Sequence, residues 1–155
     1  SCFTSTYDDY IVRLVDLVPS STGADLQFLA STNGGSSYLA GSTYEQVTVN
    51  NSTSNAGLTS AGSVGTAVLT FFPNVDAGVE FVGASANINF YNPLGTVLNK
   101  SFDWSGHFGL QAAPRKYFQQ GTGFIDNSSA INAIRFQFSS GNIASGTIRC
   151  YGVAK

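Results

Sequence analysis

The chain has 155 residues, seven basic and nine acidic side chains, and a net charge of −2. The charges are scattered and form no basic run, which argues against nucleic acid and anionic membrane surfaces as partners. No stretch approaches the roughly 20 apolar residues that a spanning helix needs, so we expect no membrane insertion. A chain of this length can bury its core within one unit, and we predict a single domain over residues 1–155.

The composition favours strands and turns over helices. Twelve Phe, seven Tyr and one Trp accompany seventeen Gly, while charged residues make up only 10% of the chain. Aromatic and β-branched side chains suit a pleated surface, and Gly and Asn suit turns. With few charges to keep unpaired strand edges apart, a defined oligomer is expected.

Alternation of apolar and polar residues recurs along most of the chain. The first predicted strand, 10–18, carries apolar residues on both faces, so we expect it to be covered on both sides. Turn signals follow at "NGG", "NPLG" and "SSGN", and the last predicts a closing hairpin between the final two strands. Strands are predicted at residues 10–18, 24–31, 44–50, 66–72, 79–82, 85–91, 96–102, 133–138 and 146–153.

Two segments do not follow this pattern. Residues 51–65, "NSTSNAGLTSAGSVG", are of low complexity and are predicted to form a flexible surface loop. Residues 103–127 mix glycine, proline and aromatics and predict no clear element. Many short strands without a convincing helix indicate an all-β fold, an antiparallel β-sandwich of jelly-roll type.

The two cysteines lie near opposite ends of the chain. A disulfide between Cys2 and Cys150 requires that the first and last strands be neighbours, and chain ends often meet in compact domains. The alternative is two buried thiols that behave as small apolar side chains. Both interpretations stay open at this point.

No group of residues predicts catalysis or metal binding. Asp103, Ser105 and His107 are the residue types of a nucleophilic triad, but no nucleophile elbow surrounds Ser105. A histidine in a turn beside a packed Trp104 is the preferred interpretation. Asp8 and Asp9 could suggest calcium, but no Asp-x-Asp-x-Asp loop follows, and such residues commonly bind turn amides. We therefore expect no enzyme, no metal and no cofactor.

Carbohydrate binding is better supported than catalysis. Exposed aromatic rings stack on sugar faces, and Asn and Asp side chains bind hydroxyl groups. Candidates near predicted loops or strand ends are Tyr38, Tyr44, Trp104, Tyr117 and Phe118. The alternative for each of them is a place in the core or in an interface.

Three segments resemble a known group of proteins: residues 5–38, 88–104 and 130–153, the last containing "AIRFQFSSGNIASGTIRCYG". They are similar to small β-rich domains of bacteriophage virion proteins, found at tail-fibre tips and as free-standing surface proteins. The resemblance covers about half of the chain, without residues 39–87 or the two cysteines. It implies a virion location and contributes no catalytic or metal-binding residues.

The leading hypothesis is a structural protein on the outer surface of a tailed phage particle, assembled in the host cytoplasm. It would be a tail-fibre or receptor-binding module, expected as a homotrimer, that contacts other virion proteins and host surface polysaccharide. The first alternative is a capsid decoration protein that stabilises the head. A glycan depolymerase and a secreted lectin are further alternatives, the former made less attractive by the dispersed acidic residues.

Overall fold

The computed structural model describes residues 3–78, 83–110 and 115–154, except the side chains of residues 55 and 56. These ranges form an all-β fold in which every strand pairing is antiparallel, as predicted. Within them, no helix could cross a membrane. The strands are β1 (Asp9–Pro19), β2 (Ala24–Ser31), β3 (Tyr44–Ser52), β4 (Asn55–Thr66), β5 (Leu69–Val75), β6 (Ala84–Tyr91), β7 (Lys100–Leu110), β8 (Arg115–Ile125), β9 (Ala133–Phe138) and β10 (Ile143–Val153).

The strands form two runs of neighbours. Seven are ordered β4-β3-β8-β7-β6-β1-β10, and three are ordered β5-β2-β9. Among the described residues, ladder pairing joins the two runs at one pair, Val75 and Leu110, and side-chain hydrogen bonds such as that between the Ala30 amide and the Tyr44 hydroxyl also connect them. The Phe28 ring on β2 lies 5.6 Å from that of Phe90 on β6 and 5.1 Å from that of Phe102 on β7. The three-strand run therefore covers the central strands of the longer run, while the jelly-roll sandwich itself stays a prediction.

Aromatic rings from both runs fill the space between them. Phe71 on β5 lies edge-on to Trp104 on β7, with ring centroids 4.8 Å apart. Gly121 on β8 is the cross-strand partner of Trp104, and a Cβ there would clash with the indole ring. Glycine at this position thus leaves the room that the tryptophan needs.

A bulge in β1 determines which of its side chains reach the core. Asp16 has φ of 48°, and the pairing with β6 shifts register between Leu14 and Leu17. The shift places Leu17 among the buried residues. Ile11 and Val15, on the other side of β1, are only half-buried, so the prediction that both sides are covered is wrong for that side.

Residues 51–65, predicted to be a flexible loop, instead form the end of β3 and most of β4. Val47 of β3 pairs with Gly62 of β4, and Val49 pairs with Ser60. Among the strands that the structure describes, β4 pairs with β3 alone and forms an edge. Such a strand contributes almost no side chain to the core, so backbone hydrogen bonds to its neighbour hold it in place.

The predicted closing hairpin is also corrected. β9 pairs with β2, where Phe136 faces Phe28, and β10 pairs with β1, where Cys150 faces Val12. In the described chain these last two strands belong to different runs and do not pair with each other. Gly141, with φ of 70°, lies in the "SSGN" turn, which carries the chain from one run to the other.

Some predicted strands have different bounds in the structure, and other predictions concern residues that the structure does not describe. The predicted strand 96–102 begins later, at Lys100, and residues 103–127 hold most of β7 and all of β8. The predicted strand 79–82 and Cys2 are not among the described residues, so the disulfide to Cys150 stays a prediction.

Candidate functional site

The candidate site lies on the side of the seven-strand run that faces away from the aromatic core, called the outer face below. Strand alternation sends every second side chain of β7 to this face, starting with Ser101 and Asp103. Cross-strand pairing aligns polar side chains from β6, β7 and β8 with two valines of β3 in adjacent rows. One row is Asn89, Asp103, Thr122 and Val47, and the next is Asn87, Ser105, Gln120 and Val49.

An open depression of about 460 Å³ occupies the centre of the outer face. Its volume lies within the usual range of small-molecule sites. Side chains from β3, β7 and β8 line it: Val47, Val49, Asp103, Ser105, Gln120 and Thr122. The depression therefore combines an apolar wall with hydrogen-bonding groups of three kinds: carboxylate, hydroxyl and amide.

Asp103 is held in a fixed orientation at the edge of the depression. The Asn89 side chain donates a hydrogen bond from Nδ2 to Asp103 Oδ2 at 3.0 Å, and the Tyr91 hydroxyl donates to Oδ1. The bond to Asp103 is the largest cause that raises the pKa of Tyr91 to about 12, with smaller contributions from burial and from the charges of Asp103 and Asp9. Each carboxylate oxygen can still accept a second hydrogen bond from a ligand.

Exposed aromatic rings surround this polar centre. Phe118 is 49% exposed and Phe124 is 39% exposed, both on β8. Tyr91 at the end of β6 is 47% exposed, and Tyr151 on β10 is 45% exposed. Strand register places all four on the outer face. Their rings provide flat apolar surfaces beside groups that bind hydroxyls.

Two of the predicted sugar-binding aromatics are core residues instead. The Tyr44 hydroxyl accepts a hydrogen bond from the Ala30 amide at 2.9 Å and donates to the Leu39 carbonyl oxygen at 3.2 Å, and burial raises its pKa. Trp104 is only 2% exposed. Both lie on the inward side of their strands, which leaves no ring face for a ligand.

The other three predicted aromatics are more accessible but are not grouped. Tyr38 is half-buried, with the Arg135 guanidinium 4.2 Å from its ring centroid, and lies near the three-strand run. Tyr117 stacks on Phe108 at 5.3 Å and packs against the core. Of these three residues, only Phe118 lies exposed on the outer face.

Tyr91, Phe124 and Tyr151 are surface aromatics that were not among the residues predicted from the sequence. The alternation of 85–91 already places Tyr91 opposite to Ile88 and Phe90, and this was the signal that could have found it. Phe124 lies within 103–127, where no strand was predicted. Its exposure follows only from the pairing of β8 with β7 and β3.

The possible triad has no catalytic geometry. His107 lies in the middle of β7 and is exposed, so the predicted turn histidine is wrong. Asp103 and Ser105 share its side of the strand, but Asp103 bonds to Asn89 and Tyr91. Within the described residues, no hydrogen bond connects His107 to Ser105 or Asp103.

The paired aspartates of the N-terminal region include a loop anchor. Asp9 Oδ1 accepts a hydrogen bond from the Asn92 amide at 2.9 Å, which fixes the start of the β6–β7 loop. Within the part of the chain that the structure describes, no three His, Cys, Asp or Glu side chains are placed to hold a metal ion.

Comparisons with known proteins found no match to this chain among protein-family models, curated proteins or solved structures.

Proposed function

We propose that the chain is a structural protein exposed on the outside of a tailed phage particle, and that its outer face binds host surface glycans. Its role there is that of a tail-fibre or receptor-binding module, present as a homotrimer. The virion assignment is supported by the resemblance of residues 5–38, 88–104 and 130–153 to phage surface domains. The binding assignment is supported by one observation, the depression with an oriented Asp103 between exposed aromatic rings.

Sugars require this combination of groups. Each hydroxyl both donates and accepts hydrogen bonds, and a carboxylate that is already fixed by Asn89 and Tyr91 loses little freedom on binding. The C–H faces of successive sugar rings can cover the apolar surfaces of Val47, whose partner on β8 is Thr122, and of Phe118, four residues before Thr122. A site of this size contributes modest affinity in one copy, and three linked copies raise it through effective concentration.

Binding of the purified full chain to polysaccharide extracted from the host tests the glycan-binding role. Asp103→Asn and Gln120→Ala should each weaken binding at least tenfold, because they remove an acceptor or an amide from the depression. Gln137→Ala is the matched control, since Gln137 bonds Gln27 on the three-strand run. Unchanged binding in both site variants, or an equal loss in the control, would overturn the assignment.

Location and mode of action need separate measurements. Antibody labelling of intact particles should mark the tail, and labelling spread over the head would instead establish the decoration role.

The polysaccharide should keep its length after incubation with the protein. Shortened chains would establish a depolymerase, contrary to the proposal. Light scattering should give the mass of three chains.

A further inference from the structure

Two arginines face each other on the outer face, at the edge formed by β1 and β10. Arg13 and Arg149 are direct cross-strand partners, and both are exposed. The neighbours of Arg13 along β1, Val12 and Leu14, are buried, so Arg13 projects outward. Its guanidinium carbon lies 6.0 Å from the ring centroid of Tyr151, which confirms that these side chains share one face.

This arrangement has an energetic cost within the protein. Like charges directly opposite each other in an antiparallel pair are destabilising. Among the described residues, no carboxylate forms an ion pair with Arg13 or Arg149. The two guanidinium groups therefore leave their hydrogen-bond donors available to an anion from outside. A guanidinium matches carboxylate, sulfate or phosphate through two parallel hydrogen bonds.

The arginine pair is continuous with the polar rows of the candidate site. Arg13 pairs with Asn87 of β6, which pairs with Ser105 of β7, which in turn pairs with Gln120 of β8. Four strand spacings separate Arg149 from Gln120, or about 19 Å at the usual distance between strands. An extended oligosaccharide can lie along this row and contact both ends.

Charge differs along that path. The arginine pair marks one end, and Asp103 lies two strands from Arg13, beside the depression. The arginine pair attracts an acidic sugar group, and the Asp103 carboxylate repels it. Sugar hydroxyl groups, which can donate hydrogen bonds to a carboxylate, suit the position beside Asp103. Tyr151 provides an exposed ring next to the arginines, on which the ring of the acidic sugar can stack.

We propose that the outer face selects acidic polysaccharides, with Arg13 and Arg149 jointly binding an anionic group while Ser105, Gln120 and Asp103 bind neighbouring hydroxyls. This inference rests on the glycan-binding role proposed above and specifies the ligand class. The anionic group is a carboxylate, a sulfate or a phosphate, and the test separates these sources.

Matched polymers with one backbone test the proposal on the full chain: dextran, carboxymethyl dextran, dextran phosphate and dextran sulfate, measured by biolayer interferometry. At least one anionic polymer should bind tenfold or more tightly than dextran. Its identity names the preferred anion, and the preference should shrink as salt is added. Equal binding of all four polymers would overturn the proposal.

Single substitutions connect the preference to the arginine pair. Arg13→Gln and Arg149→Gln should each reduce the ratio of anionic to neutral binding at least fivefold, and Arg149→Lys should recover only part of it, because an ammonium lacks the fork. Arg135→Gln on β9 is the matched control and should keep the full ratio. An equal reduction in the control would indicate general charge attraction and contradict a specific pair.

Thermal unfolding adds a readout that a purely structural role cannot reproduce. Removing one of two facing cations should leave the melting temperature unchanged or slightly higher. A clear drop would show that the pair stabilises the fold, and would count against an anion site.

The two proposals can fail separately. If host polysaccharide is bound and Gln120→Ala weakens it, but the arginine variants leave binding and the anionic preference intact, the glycan role stands and the acidic specificity is wrong. If no host polysaccharide or test polymer is bound, both are wrong. If the arginine variants instead abolish attachment to purified virion parts, the pair contacts another virion protein and the acidic-glycan inference is overturned.

Discussion

The two faces of β7 carry adjacent residues into opposite environments. Phe102 and Trp104 point inward and are buried, whereas Asp103 and Ser105 point outward to the depression. On the inner side the ring of Trp104 lies against Gly121, where even a methyl group would clash. On the outer side Asp103 is placed by two hydrogen bonds and its surroundings stay open.

The inner side of β7 contributes to the stability of the fold, whereas the outer side is the one proposed to bind a ligand. Close packing makes the inner side intolerant of changes in volume. The outer side has little packing to lose, so its residues can vary with the ligand at a small energetic cost. A strand with this alternation can keep one fold while its exposed side changes, which suits the host-contacting role proposed above.

The largest expected effect compares neighbours on β7. Trp104→Ala should lower the free energy of unfolding by about 3–5 kcal/mol, because it removes a large buried ring and leaves a cavity. Ser105→Ala, one residue away on the outer side, should change it by less than about 0.5 kcal/mol. Urea denaturation of both variants measures the contrast. Similar losses in the two would show that the outer side also carries stability.

A smaller effect comes from adding one carbon to a glycine. Gly121→Ala places its Cβ in the Trp104 ring and should cost about 1–3 kcal/mol through overpacking. Gly62→Ala on β4 is the control, since the nearest atom to the new Cβ would be a backbone oxygen at 3.5 Å. Combining Gly121→Ala with Trp104→Phe should recover part of the loss. Without such recovery, the clash with the indole is not the cause.

The smallest effect concerns the support of Asp103. Since the pKa of Tyr91 is raised to about 12 in the folded protein, its contribution to stability is present below about pH 10, the ordinary value for tyrosine, and is lost as pH rises toward 12. The stability advantage of the wild type over Tyr91→Phe should therefore disappear across this range.

Urea unfolding at several pH values between 8 and 12 measures that advantage. Tyr44, whose pKa is also raised, is present in both proteins and cancels in the comparison. A difference between the two proteins that stays constant with pH would show that the hydroxyl of Tyr91 does not hold Asp103 in solution.

Local patterns predicted several strands closely, including β2 and β9, because alternation within one strand is visible in its own residues. They failed at β4 and across residues 103–127. Gly, Ser and Thr carry little strand preference of their own, and β4 is extended because β3 supplies hydrogen-bond partners. In β8, Gly121 and Gly123 weaken the sequence pattern that predicts a strand. The rings of Trp104 and Phe102 on β7 nevertheless leave no room for a larger side chain at these two positions.

The sequence by itself determined an all-β, antiparallel chain with few charges, since strand alternation and turn residues act over short distances. Only the tertiary structure decided which aromatics are buried and which strands are neighbours. It separated β9 from β10 and brought Arg13 opposite Arg149. Such pairings depend on packing between segments more than 100 residues apart in sequence. The alternation within one strand does not indicate which other strand will pair with it.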